Sequence, residues 1–389
     1  MYEVLYRGFD GLDVAFQGTL KRDFVDRLEA MKAQAQAEMR PVTVEYGNTR
    51  FLIAETGAPH GYAFRCDTGD DGAIWFFKRS TNPADWNFRV SVKSMALALY
   101  GIGKVQAQLY EFLSIIAEQV GAESLGRVDY AVDVLAPDFV LVPGHFVMHS
   151  HTDRRDHYEG DEFQISGKSS RVTSVTVGHM PRRQVIIYDK RLEVIQKRKV
   201  YWWEIWNANR RKNGLDSLEP KDRRSRVWRI ELRAGKEHLK DRWNIRSWRQ
   251  LNERIGDLFE TMLADIRYTT PTADTNRARW PNDSLWDTLA MQLTDDLFEM
   301  RSDATPIRVK EVCREALRDM LEKLIIGSAA TYSVAAGVDG GEIDTVPDHL
   351  ARLLGRYIRA HRERFDKKRA LSSERYRFIE SNIARKSMS

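Results

Sequence analysis

The chain opens with short runs in which apolar and polar residues alternate, separated by turn-forming residues. Period-two alternation places one face of a strand in a core. It predicts strands at residues 12–17, 42–46, 50–54, 62–66, 73–78 and 88–92. The Gly69-Asp70-Asp71-Gly72 cluster supplies hairpin punctuation between two of them. Residues 21–35 instead set Phe24, Val25, Leu28 and Met31 on one helical face, and 105–120 read as a second helix. Further strands are expected at 127–135, 172–177, 184–189 and 227–232, with a helix over 192–210.

After residue 243 the pattern turns helical. The clearest case is 306–325, where Val309, Val312, Cys313, Ala316, Leu317, Met320, Leu321 and Leu324 recur at helical spacing. Thr305 is placed as its N-cap and Pro306 as its first-turn residue. Residues 269–283 and 335–346 are polar and hold Pro or Gly, so they read as linkers. The expected class is α+β. An antiparallel-sheet core with packed helices covers 1–245, in halves 1–120 and 121–245, and a mainly helical region follows over 246–389.

Three of the strands carry polar residues where a core wants apolar ones. In Arg127-x-Asp129-x-Ala131-x-Asp133 the four named residues share one face. Two carboxylates on one face cost desolvation if buried alone, and a divalent ion with oxygen ligands offsets that cost. A solvent-facing strand with a surface ion pair is the plainer alternative. In the second strand Gln184, Ile186, Tyr188 and Lys190 lie together; a lysine beside a tyrosine can stabilise a phenolate or a phosphate. In the third, Arg229, Glu231 and Arg233 face one way and Trp228, Ile230 and Leu232 the other. Three acids, several cations and a tyrosine suit metal-assisted phosphoryl transfer to a tyrosine hydroxyl.

Composition agrees with a folded, water-soluble chain: of 389 residues, 42% are hydrophobic and 30% charged. The net charge of +5 is modest, but Lys and Arg are concentrated in 182–249 and 352–369, which favours a polyanionic partner. Cys66 and Cys313 have no paired spacing, so neither a disulfide framework nor a cysteine zinc site is expected. No secretory leader or bilayer-length apolar run is visible, and a reducing cytoplasm is the expected compartment. No phosphate-cradling Gly-Lys-Ser/Thr loop indicates ATP use.

The ordered set Arg127-x-Asp129-x-Ala131-x-Asp133, Gly178, Ile187-Tyr188-Asp189-Lys190 and Arg229-x-Glu231-x-Arg233 resembles the replication initiation factor (Rep_trans) family. The opening Gly8-Phe9-Asp10-Gly11-Leu12-Asp13-Val14 is similar to that family's first strand, and the resemblance spans roughly the first 245 residues. It implies a rolling-circle replication initiator or relaxase of a plasmid or integrative conjugative element. Such a protein nicks and rejoins one origin strand through a covalent 5′-phosphotyrosine, with Mg²⁺ or Mn²⁺. The resemblance makes Tyr188 the nucleophile and Asp129, Asp133 and Glu231 the metal ligands, with Lys190, Arg127 and Arg229 as phosphate contacts. Its implied partners are origin DNA, single-stranded or hairpin with flanking duplex, and a host helicase. A homodimer is a further expectation, and no membrane is involved. The rival expectation is a DNA-binding regulator that keeps the scaffold without the chemistry.

Other features rank lower. His149 and His151, with His145 and His157 nearby, invite a metal, but the surrounding residues read as a loop. The aromatic run from Tyr201 to Trp206 could stack on unpaired bases or fill a core. Arg277-Ala278-Arg279-Trp280-Pro281 could touch a DNA backbone or serve as a linker. The helices expected at 306–325 and 349–365 are candidates for dimerisation or duplex contact.

Overall fold

A computed structural model describes residues 2–148, 163–168 and 171–376. The order is β1 (Glu3–Leu20), α1 (Arg22–Glu38), β2 (Val42–Tyr46), β3 (Thr49–Ile53), β4 (Phe64–Asp67), β5 (Ala73–Phe77), β6 (Phe88–Val92), α2 (Ser94–Ile116) and β7 (Ala117–Leu135). Then come β8 (Phe146–Met148), β9 (Phe163–Lys168), β10 (Arg171–His179), β11 (Arg183–Asp189), α3 (Lys190–Gln196), α4 (Tyr201–Lys212) and β12 (Val227–Gly235). The chain continues through α5 (Trp248–Asp265), β13 (Ile266–Tyr268), α6 (Ser284–Ala290), α7 (Pro306–Ala335), α8 (Val346–Ala360) and α9 (Arg362–Tyr376). The class is α+β.

Eleven strands form one sheet in the order β2-β3-β4-β5-β6-β1-β7-β12-β11-β10-β9, and the ladders are antiparallel. The long strands β1 and β7 are its spine. β1 pairs with β6 through Leu12 to Phe16 and with β7 from Glu3 to Leu20, with several register shifts that bend both strands. The first residues of β7, including Glu118 and Gln119, fall within the helix that periodicity predicts over 105–120. Pairing with β1 overrides that local preference. The single helix expected over 192–210 is two, α3 and α4, broken where Arg198 takes φ 53°. Thr305 caps α7 by accepting from the Arg308 amide at 3.3 Å, and that helix runs on to Ala335.

Helices cover both faces of the β1–β7–β12–β11 region. On one face, Phe259 of α5 packs on Phe9 of β1 and Tyr130 of β7, with ring centroids 6.5 and 5.4 Å apart. On the other, α4 lays Trp202 against Tyr6 at 5.0 Å, and its Trp206 meets Asp133. The chain divides into two compact units, Met1–Ala304 and Thr305–Ser389. The first runs past residue 245 because Trp248, Leu251, Leu258, Phe259 and Met262 are buried in the same core as the sheet. Within the second unit, Tyr332 of α7 and His349 of α8 are hydrogen-bonded at 3.0 Å. Among the described residues no helix is long and apolar enough to cross a membrane.

His238 lies in the short helical turn His238–Arg242 after β12; it is buried, and its Nε2 has no hydrogen-bond partner. Burial, reinforced by Arg183 and Arg242, holds its pKa down at about 4. A histidine kept neutral in the fold adds stability that is full above its unfolded pKa of about 6.5. That stability is lost as pH falls toward the folded value. Urea unfolding should therefore show a loss between about pH 7 and 5, and His238→Phe should lose less over that interval. Equal losses in the two proteins would assign the effect to another group.

Candidate functional site

Opposed residues of an antiparallel pair lie on the same face, so the registers of β7, β12 and β11 define three rows across the sheet. One row is Asp133–Arg229–Tyr188, the next Ala131–Glu231–Ile186, and the third Asp129–Arg233–Gln184. The three polar strands thus form one surface. Asp129, Asp133, Arg229 and Glu231 on it are buried, which removes the reading of a solvent-facing strand. Arg127 and Arg233 lie at its open end, their side chains 34% and 27% exposed.

The closed end is built around Arg229, which is fully buried. Its Nε donates to Asp133 Oδ1 at 2.5 Å and its Nη2 to Oδ2 at 2.7 Å, while Nη1 donates to Asp10 on β1. Trp206 Nε1 also donates to Asp133 Oδ2 at 2.8 Å, and the guanidinium lies 4.1 Å from the Trp202 ring centroid. Both oxygens of Asp133, an expected metal ligand, accept from Arg229, just as both oxygens of Asp129 accept from Arg127. Arg229, an expected phosphate contact, is fully buried between two carboxylates. Asp10, quoted in the opening motif without a role, completes this cluster; its position between Gly8 and Gly11 was the visible signal. Burial raises its pKa, but Arg229 and Lys190 outweigh burial and hold it well below the usual carboxylate range.

Tyr188 is half-buried at the edge of this cluster. Lys190 Nζ lies 3.4 Å from its hydroxyl oxygen and pairs with Glu193 at 2.7 Å. Burial and then the Glu231 charge push the tyrosine's pKa well above its ordinary value, while Arg229 pulls the other way. Burial and Arg229 lower that of Lys190, opposed by Asp10 and Glu193.

At the open end, Arg127 Nε donates to Asp129 Oδ1 at 2.9 Å, and Arg233 Nε donates to Glu231 Oε1 at 2.6 Å. Glu231 Oε2 is buried without a partner. Burial pushes the Asp129 carboxyl up to about 7, with Glu231 adding to the rise and Arg127 and Arg233 opposing it. Gly11 makes this packing possible, since a Cβ there would meet Asp129 Oδ2 at 2.3 Å. Two crowded carboxylates, one with a spare oxygen, suit a divalent cation held by two protein ligands and completed by water or phosphate. The expected trio is not formed, and among the described residues no three His, Cys, Asp or Glu side chains are grouped to hold a metal.

The lower-ranked features separate cleanly. Trp202, Trp203 and Trp206 are buried, so they fill the core over Arg229 and do not offer faces to bases. In the 277–281 loop, Arg277 lies over Trp280 at 5.1 Å and donates to the Phe146 carbonyl at 2.8 Å, which ties the loop to β8. His145 packs its ring near Tyr268. His149, His151 and His157 lie outside the described residues.

No protein-family model matches the chain, and no curated protein matches it. Among solved structures, a rolling circle replication initiator protein from Geobacillus stearothermophilus is similar at 13% identity and a TM-score of 0.39. That similarity covers 76% of this chain and 97% of the other. A likeness of that degree fixes no chemistry for this site.

Removing the guanidinium should expose the dependence of the closed end on it. Arg229→Met leaves Asp133 and Asp10 buried without their cation and should cost about 3–5 kcal/mol in urea unfolding. Adding Asp133→Leu should recover part of the loss. A single variant as stable as the wild type would refute this account of the cluster.

Proposed function

We propose that the protein nicks and rejoins one strand of an origin DNA through a covalent 5′-phosphotyrosine at Tyr188, initiating rolling-circle replication or conjugative transfer. One observation carries this reading. A tyrosine hydroxyl stands beside a buried lysine, on the same face as two crowded carboxylates, one of which has a spare oxygen. The resemblance to replication initiation factors in the sequence agrees with it.

In this reading the Tyr188 oxygen attacks the scissile phosphorus. The phosphorus–O3′ bond breaks, the 5′ phosphate stays on the tyrosine, and the other end leaves as a 3′-hydroxyl. The phenolic proton is lost to water. Because the tyrosine's pKa is raised, its oxygen needs cationic help as that proton leaves. Lys190 stands at the distance to give it. Arg127 and Arg233, at the open end, can turn from their carboxylates toward a phosphate. Asp129 and Glu231 are the residues that would hold Mg²⁺ or Mn²⁺, which supplies polarisation of the phosphate. Rejoining is the reverse attack by a 3′-hydroxyl.

A second reading has one observation in its favour: Arg127 and Arg233 already neutralise Asp129 and Glu231, as in a structural ion network. It makes the protein a DNA-binding regulator without chemistry. Incubation with origin single strands and Mn²⁺ separates the two. The wild type should give a protein–DNA adduct that survives denaturation, and Tyr188→Phe should give none. An adduct that persists in that variant moves the nucleophile elsewhere; no adduct in the wild type favours the regulator.

A further inference from the structure

The sheet face that carries Tyr188 does not end at β7. Arg127, at the open end of the candidate site, lies opposite Asp13 of β1. Asp13 lies opposite Ser91 of β6, Ser91 opposite Ile74 of β5, and Ile74 opposite Asp67 of β4. Two residues further along these strands, Ala15, Arg89, Phe76 and Arg65 form a second row on the same face. Four strand-to-strand steps carry the face about 19 Å from β7 to β4. The alternate residues Val14, Val90, Trp75 and Cys66 are buried on the other side of the sheet, where both helices of this half pack. Phe24 of α1 meets Phe77 with ring centroids 5.9 Å apart, and Phe112 of α2 meets Trp75 at 4.8 Å. Neither helix covers the Tyr188 side, where Ile74, Phe76, Arg89 and Ser91 are half-buried and Arg65 is exposed.

The chemistry of this side is aromatic and basic. The Arg89 guanidinium lies 5.3 Å from the Phe76 ring centroid, and Arg65 stands opposite Phe76 on the next strand. Tyr62 packs edge-on against Phe76 at 6.1 Å, and Lys78 Nζ lies 5.2 Å from the Tyr62 centroid. One ring is thus held in a fixed attitude among three cations. Cross-strand neighbours on a sheet are stabilised when their charges are opposite, yet Phe76 has an arginine on each side. Each carboxylate of the two rows already has a cation: Asp13 accepts from Arg89 at 3.4 Å, and Asp67 from Lys93 at 2.8 Å. Among the described residues Arg65 and Lys78 have no carboxylate partner. The face therefore presents uncompensated positive charge around an aromatic centre.

We infer that the face built from Arg65, Phe76, Lys78 and Arg89 binds single-stranded DNA that runs on from the nicking site. Phe76 and the guanidinium beside it offer the surfaces on which an unpaired base stacks, and Arg65 and Lys78 take phosphates. A duplex keeps its base faces stacked on one another and has none to give Phe76, so the aromatic centre favours a single strand. Arg127, set opposite Asp13, lies where the candidate site and this face meet. The inference rests on the proposed strand-nicking function for the identity of its polyanion.

The test uses the full chain and a fluorescent single-stranded oligonucleotide, with a duplex of the same sequence as the second arm. Anisotropy is followed over a range of salt. Phe76→Leu, which keeps apolar bulk without a ring, should bind the single strand at least about fivefold more weakly with an unchanged salt slope. Phe76→Trp should bind at least as tightly as wild type. Arg65→Gln with Lys78→Gln should lower the log–log salt slope by about 1.4, the value for two lost contacts to a single strand. Unfolding midpoints should show the variants folded. Affinity and slope equal to wild type in Phe76→Leu and in the double variant would overturn the inference. So would an equal loss by Phe76→Leu in the duplex arm, since a duplex has no free base face to lose. Adduct formation with Mn²⁺ is scored on the same single strand. An adduct together with unchanged binding in these variants overturns this inference alone; the binding losses without any adduct overturn the nicking reading alone.

Discussion

The polar half of the structure depends on one buried guanidinium. Arg229 on β12 reaches Asp133 on β7 and Asp10 on β1, so a single side chain ties three strands. Burying three charges is costly, and such a cluster is a weak source of stability compared with an apolar core. What it supplies is register. A slip of one residue turns every side chain of a strand to the other face, and here it would strand two carboxylates in the core. Because Arg229 also lies opposite Tyr188, the same contact fixes the level of the tyrosine.

From that anchor the face grades outward. Trp202 and Trp206 seal the closed end, Tyr188 and Lys190 sit at its border, and Asp129, Glu231, Arg127 and Arg233 occupy the open end. The gradient separates two jobs that the sequence motifs mix together. Asp133 and Arg229 are closed in on each other, whereas Asp129 and Glu231 pair with partly exposed arginines and Glu231 keeps a spare acceptor oxygen. Gly11 belongs to the second group, since any side chain there would displace the Asp129 carboxylate.

Much of the fold was legible in the sequence because its signals are local. Alternation located β2, β5 and β6 closely, helical spacing located α1, and Thr305-Pro306 marked the start of α7. The polar strands were legible for the same reason, as alternation with the wrong chemistry inside. What stayed hidden depends on partners far along the chain. The first part of β7 is a strand only because β1 lies beside it. Asp129 and Asp133 look equivalent in Arg127-x-Asp129-x-Ala131-x-Asp133, and only the register with β12 gives one to Arg229 and leaves the other near Glu231. The role of Asp10 needed the same pairing. The end of the first unit at Ala304 rather than residue 245 reflects tertiary burial of α5, which an amphipathic pattern does not reveal.

The central place of β1 has a consequence for how the protein is made. Residues 3–20 leave the ribosome well before their neighbours in the sheet, residues 88–92 and 117–135, and Asp10 waits for Arg229. Contacts so distant in sequence form slowly, and until they form β1 offers unpaired edges to other chains. The nascent chain must therefore carry β1 without both sheet neighbours until residue 135 is made, and Asp10 without its cation until residue 229. The candidate site cannot assemble on it before β12 has emerged.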